Sequence, residues 1–300
     1  MFMLLRLLWE NYRELDEKYR DERSENYFLF SPLLFISIAI AYYAFVKHIG
    51  PKIMEKRNAF DLKYVLLAYN AAQVLANGNL FISVIYAIWL HRPYDRLSCM
   101  MPVIQRTEIG MVELKFAYTY YLLKIADFAD TVFFVLRKRY NQVSFLHVYH
   151  HILMAGGIFI FARYLPGGHG ASLVTVNSAV HAIMYFYYFI SALRPELKQS
   201  VWWKKHITQA QIAQFLILLL HFIHGLLDME CKYPKWALGF GSIQAVIMLM
   251  LFSDFYYKAY LRPNKKKLVS QTNAERVSEH KEGDFSAERL AMAESEKITN

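Results

Sequence analysis

The stretch Gln142-Val-Ser-Phe-Leu-His147-Val-Tyr149-His150-His151 decides the fold, because it opens an apolar run that continues to residue 165. About 20 apolar residues cross a bilayer as a helix. At helical spacing His147, His150 and His151 lie one turn apart, within ~100° of one another on one face. Ionisable groups are costly inside a membrane and face protein or water when they occur there. A single histidine at such a place is ordinarily bonded to a neighbouring carbonyl. Three on one face point to a site.

The same apolar length recurs outward from this run. The 300 residues are 56% hydrophobic, with 22 Phe and 22 Tyr, above the ~45–50% apolar share of soluble domains. Seven spans are expected, near 28–47, 63–90, 111–136, 145–165, 171–193, 206–228 and 234–260. The fold class is therefore an all-α integral membrane protein with seven transmembrane helices over residues 28–263. Residues 1–27 are charged and mixed, without the apolar core of a signal peptide. Residues 264–300 read as a mostly disordered tail with a short helix over Ser286–Lys297. A net charge of +9 raises nucleic acid as a partner, yet the basic residues fall mainly between spans, where membrane topology accounts for them. Lys52, Lys56, Arg57, Arg137, Lys138, Arg139, Arg194, Lys198, Lys204, Lys205, Lys258, Arg262, Lys265, Lys266 and Lys267 mark one side. Arg92, Arg96, Arg106, Arg163, Lys232 and Lys235 are the sparser set opposite. The positive-inside rule places the N-terminal segment in the lumen and the tail in the cytosol.

Costly polar residues gather at one depth. In this orientation the cytosolic halves of five spans carry Asn70, Gln73 and Asn77; Lys124, Asp127, Asp130 and Thr131; His147, Tyr149, His150 and His151; Asn177, His181, Tyr185, Tyr187 and Tyr188; and Thr208, Gln211 and Gln214. Their spacings repeat at three or four residues, so each set shares a helix face. Faces from several helices at one level suggest a cavity open to the cytosol. Hydrogen-bonded glue between helices remains an equal reading for Asn70, Gln211 and Gln214, and a neutralised charge cluster for Lys124 with Asp127 and Asp130. His221 and His224 form a second pair at helical spacing, read as packing at the far end of the cavity.

In order and sequence, four motifs resemble the ELO family of very-long-chain fatty acid elongases: Lys124-Ile-Ala-Asp127-Phe-Ala-Asp130-Thr131, the Gln142–His151 run, Asn177-Ser-Ala-Val-His181-Ala-Ile-Met-Tyr185-Phe-Tyr187-Tyr188, and Thr208-Gln-Ala-Gln211-Ile-Ala-Gln214. The resemblance covers about residues 30–260. One departure is Asp127, where the family usually carries Glu. The resemblance implies seven helices, six of them around an acyl tunnel. It also implies an acyltransferase of the endoplasmic reticulum membrane that condenses acyl-CoA with malonyl-CoA to 3-ketoacyl-CoA, carbon dioxide and CoA. No cofactor and no metal are expected. The expected partners are the lipid bilayer, the two CoA substrates, and the ketoacyl reductase, dehydratase and enoyl reductase of the elongation cycle.

Soluble condensing enzymes usually use a cysteine, but Cys99 and Cys231 both fall in expected lumenal loops. An imidazole takes that role instead. His150 or His181 is expected to carry the acyl group, with His147 and His151 beside them. Lys124, Asp127, Asp130, Asn177, Tyr185, Tyr187, Tyr188, Gln211 and Gln214 are the expected substrate-binding residues. Arg137, Arg139, Lys204 and Lys205 are candidates for CoA phosphates, or ordinary positive-inside charge. The two cysteines are expected to pair, since both face an oxidising lumen, against the alternative of two free thiols. The rival functions are a di-iron membrane desaturase or hydroxylase, and a transporter or receptor without turnover.

Overall fold

A computed structural model describes residues 2–91, 96–194, 196–197 and 200–262. Among them the regular elements are all helical. Arg92, Lys198, Lys265, Lys266, Lys267 and the tail with its expected helix over Ser286–Lys297 lie outside the described residues. The helices are α1 (Phe2–Tyr19), α2 (Pro32–Glu55), α3 (Lys63–Leu90), α4 (Glu108–Ala126), α5 (Phe128–Leu136), α6 (Phe145–Tyr164), α7 (His169–Leu193), α8 (Val201–Leu227) and α9 (Lys235–Leu261). The described residues up to Ser253 pack as one compact unit.

Six of these, α2, α3, α6, α7, α8 and α9, are long and apolar enough to cross a membrane. The expected third span does not join them as one helix. It is α4 and α5, separated at Asp127. Its interior charges Glu113, Lys124 and Asp127 are all buried, and these same residues dilute its apolar character. α2 widens by one residue per turn over Phe45–Ile49. Pro51 follows, with no N–H to donate and a ring that crowds the carbonyl one turn back.

Many large apolar residues face outward, while the interior holds an unusual number of polar ones. Ile36, Ile40, Leu75, Ile82, Ile183, Leu216, Ile217, Leu220 and Ile243 are exposed, whereas Asn70, Gln73, Asn77, Lys124, Thr131, Asn177, His181 and Gln214 are buried. Water would punish that distribution, while lipid requires it. α3 and α7 are the most closely packed pair. Trp89 donates to Thr175 across this pair at 2.9 Å. α4 packs on α6 and α7 on α8, while α9 belongs to no closely packed pair.

α1 is docked through charge. Asp16 accepts from Arg163 Nε at 2.8 Å and from Tyr12 at 3.0 Å. Arg163 stands at the end of α6, and its carbonyl accepts the Asp21 N–H at 3.0 Å. Cys99, before α4, and Cys231, between α8 and α9, are joined as a disulfide. The bond ties two distant loops at one end of the helices.

Candidate active site

Lys124 is the hub. Its ammonium is fully buried and donates to Asp127 Oδ2 at 2.8 Å, Asn177 Oδ1 at 3.1 Å and His181 Nδ1 at 3.2 Å. A buried cation is tolerable only with a neutralising partner and satisfied protons. Asp127 supplies the charge at the end of α4, three residues on and so on the same helix face as Lys124. The shorter side chain at this position therefore still reaches. Its other oxygen accepts from Gln73 and from Tyr185, each at 3.0 Å. Tyr185 also reaches Asp130. Asn177 accepts from Tyr120 at 2.7 Å and donates to Gln214 at 3.3 Å. Asn77 fixes Gln73 at 3.0 Å. Side chains of α3, α4, α7 and α8 thus form one buried network.

The bond from Lys124 fixes the state of His181. An ammonium only donates, so Nδ1 accepts and the neutral ring carries its proton on Nε2. The histidines of α6 are positioned differently. Ser144 caps the helix by accepting the His147 N–H at 3.2 Å, which starts the helix one turn before the cluster. His147 Nε2 lies 3.0 Å from Thr131 Oγ1, itself 2.7 Å from the Tyr42 hydroxyl. His151 is buried with its ring 4.3 Å from that of His147. His150 instead sits between the rings of His151 and Phe252, at 5.6 and 6.0 Å, within electrostatic range of Lys124, Asp127 and His181. Its nitrogens hold no hydrogen bond among the described residues.

A polar cavity of about 490 Å³ opens beside Asp130. Arg137, Tyr187, Tyr188 and Lys204 line it, with Lys63, Asn70 and Gln142. Arg139 and Lys205, expected alongside them, are not among the lining residues. Gln211 also stands apart from the buried network, with its amide at 3.5 Å from the Met184 sulfur. Beyond the histidines lie two small apolar cavities, of about 60 and 30 Å³, which share Ile158, Phe161 and Leu173. The first begins at Leu153 and Met154, one turn past His150.

His221 does not pair with His224. It lies 2.9 Å from His169 Nδ1 and 3.1 Å from Ser172, while His224 is exposed. Among the described residues no three His, Cys, Asp or Glu side chains are disposed to hold a metal. Tyr120 and Tyr42 are site residues that the sequence reading passed over. Tyr120 stands one turn before Lys124, a spacing that placed it on the same face. Nothing in the sequence ties Tyr42 to Thr131.

The profile of the ELO: GNS1/SUR4 family matches residues 27–268. The chain is 36% identical to very long chain fatty acid elongase 7 of Drosophila melanogaster over 267 residues, covering 89% of this chain and 80% of that protein. It is 37% identical to elongase F of the same fly, covering 81% and 95%, and 33% identical to human elongase 1, covering 85% and 92%. With the buried Lys124–His181 network and the histidine run both inside the matched segment, the chain belongs to the ELO (GNS1/SUR4) family, the family of the very long chain fatty acid elongases.

Proposed function

We propose that this protein elongates fatty acids by condensing a long-chain acyl-CoA with malonyl-CoA. The observation that carries the reading is the contrast between two histidines. His181 is held by Lys124 with a proton on Nε2, whereas the His150 nitrogens have no partner among the described residues. The first is arranged to donate and the second to attack.

In the first half-reaction a neutral His150 nitrogen attacks the thioester carbonyl. The C–S bond breaks, the CoA thiolate takes the proton that the imidazole loses, and an acyl-imidazole remains. The His181 N–H stabilises the developing oxyanion. CoA then leaves and malonyl-CoA enters. Its carboxylate departs as carbon dioxide, the electron pair becomes a thioester enolate, and that carbon attacks the acyl group. The C–N bond breaks, and the imidazole recovers its electron pair and takes one proton. The sum consumes one proton and gives 3-ketoacyl-CoA, carbon dioxide and CoA, with no metal or nicotinamide required. Arg137, Lys204 and Lys63 at the polar cavity suit CoA phosphates, and the apolar cavities suit the acyl chain.

The assignment of sides follows the charge pattern. The cytosol receives the polar cavity, and the lumen of the endoplasmic reticulum receives α1 and the disulfide, a bond that an oxidising compartment sustains. α4 and α5 together serve as the seventh crossing. Reduction and dehydration of the product fall to separate enzymes.

The test is incubation of purified protein with acyl-CoA alone, followed by intact-mass measurement. One acyl mass should appear on the wild type and not on His150→Ala, and malonyl-CoA should discharge it as 3-ketoacyl-CoA. Condensation without any trappable adduct, with both substrates bound before CoA leaves, would count against the acyl-histidine route.

A further inference from the structure

The inner apolar cavities are narrow, about 60 and 30 Å³. On the outer side of the same wall lies a much larger cleft of about 970 Å³ between α1, α2, α6 and α9. It opens on the apolar surface, since Ile36, Ile160 and Trp236 line it and are 49%, 36% and 59% exposed. Leu153, Gly157 and Phe240 line both the cleft and the inner cavity. The partition between them is one side-chain layer thick.

That partition is also a loosely packed seam. α6 and α9 are not a closely packed pair. The Phe240 ring faces Gly157 across a gap that would admit a methyl at ordinary contact distance, 3.8 Å. Gly239 and Gly241 flank Phe240, and glycine leaves a helix locally softer. A hydrogen bond from Tyr149 to Gln244, at 3.3 Å, crosses the seam on the histidine side. The cleft's far end is polar, walled by Tyr12, Asp16 and Tyr164, and α1 is pinned there by the Asp16–Arg163 pair.

We propose that this seam is a side portal, through which the acyl chain passes between the bilayer and the inner cavities when Phe240 swings off Gly157. The occupant of the cleft is the chain of the acyl-CoA in transit. The inference rests on the acyl-CoA reading of the site. It removes the need to thread a long chain end-on past the buried Lys124 network. Gly157 lies about 10 Å along α6 from His150, so only chains longer than that need the door.

The experiment uses the full chain in lipid nanodiscs and stearoyl-CoA carrying a diazirine near its terminus. Photolysis and peptide mapping should find label on Ile36 or Ile160 in the cleft as well as on Phe222 or Met248 inside. Label confined to the inside overturns the portal. So does a diazirine phosphatidylcholine that labels the cleft and is not displaced by excess acyl-CoA, because the cleft is then a resident lipid site. Gly157→Val should slow acyl loading about tenfold more for stearoyl-CoA than for hexanoyl-CoA. Equal slowing for both assigns the residue to the wall alone and overturns the portal. The labelling needs no turnover. A wild type that labels in both places but never condenses keeps the portal and defeats the elongase reading, and one that condenses but labels only inside does the reverse.

Discussion

Lys124 carries more of this site than any histidine does. Its ammonium compensates Asp127, holds Asn177 and sets the tautomer of His181. Lys124→Met should therefore remove turnover and destabilise the fold together. Breaking a buried pair from one side leaves an uncompensated charge and costs about 3–5 kcal/mol. The double change Lys124→Met with Asp127→Leu should recover most of the stability and none of the activity. Melting in detergent beside an acyl-CoA assay separates the two effects. A single variant that melts with the wild type would remove Lys124 from this role. His150→Ala, by contrast, deletes a ring without a hydrogen-bond partner, so it should abolish turnover with a much smaller change in melting.

At the scale of elements, the helix starts and the docking of α1 matter most. Ser144 caps α6 at the turn bearing His147. Ser144→Ala should cost about 1 kcal/mol and loosen His147, read as faster amide exchange over residues 145–148. α1 is held by Asp16, which is outside the membrane-crossing helices. Burial opposes its ionisation, but the bonds from Arg163 and Tyr164 and the Arg163 charge win, and the carboxyl lies below its ordinary 3.8. A depressed carboxylate stabilises the folded form fully above that ordinary value and loses the contribution as pH falls through the lower, folded one. Amide protection across residues 12–19 should thus hold at neutral pH and fade below about pH 4. Asp16→Asn should abolish that acid step, with α1 already loosened at pH 7. An unchanged acid profile in the variant would assign the step to other groups.

For the whole molecule, the Cys99–Cys231 bond spans 132 residues. Chain-entropy estimates give ~4–5 kcal/mol for such a loop. The membrane already restrains the unfolded chain, so Cys99→Ser with Cys231→Ser should lose less than this, yet melt measurably lower. Peptide mapping without reductant should recover the linked pair. Alkylation of either thiol by an impermeant reagent from the cytosolic side, after mild reduction, would reverse the assigned orientation.

The sequence by itself determined the class of fold and the helix faces that bear the chemistry. Apolar length and the three-and-four spacing of His147, His150, His151, Lys124 and His181 are local properties, written in the order of residues. The family was legible for the same reason, since its motifs are contiguous. Tertiary structure alone decided the rest. The break of the expected third span at Asp127 is a change of backbone at a single residue, which hydropathy does not register. Which cations face the polar cavity, Arg137 and Lys204 with Lys63 rather than Arg139 and Lys205, depends on how helix ends are rotated. That His221 pairs with His169, and that Phe240 closes on Gly157, depends on helices far apart in sequence. Periodicity fixes which face a residue occupies on its own helix, and only packing fixes what that face meets.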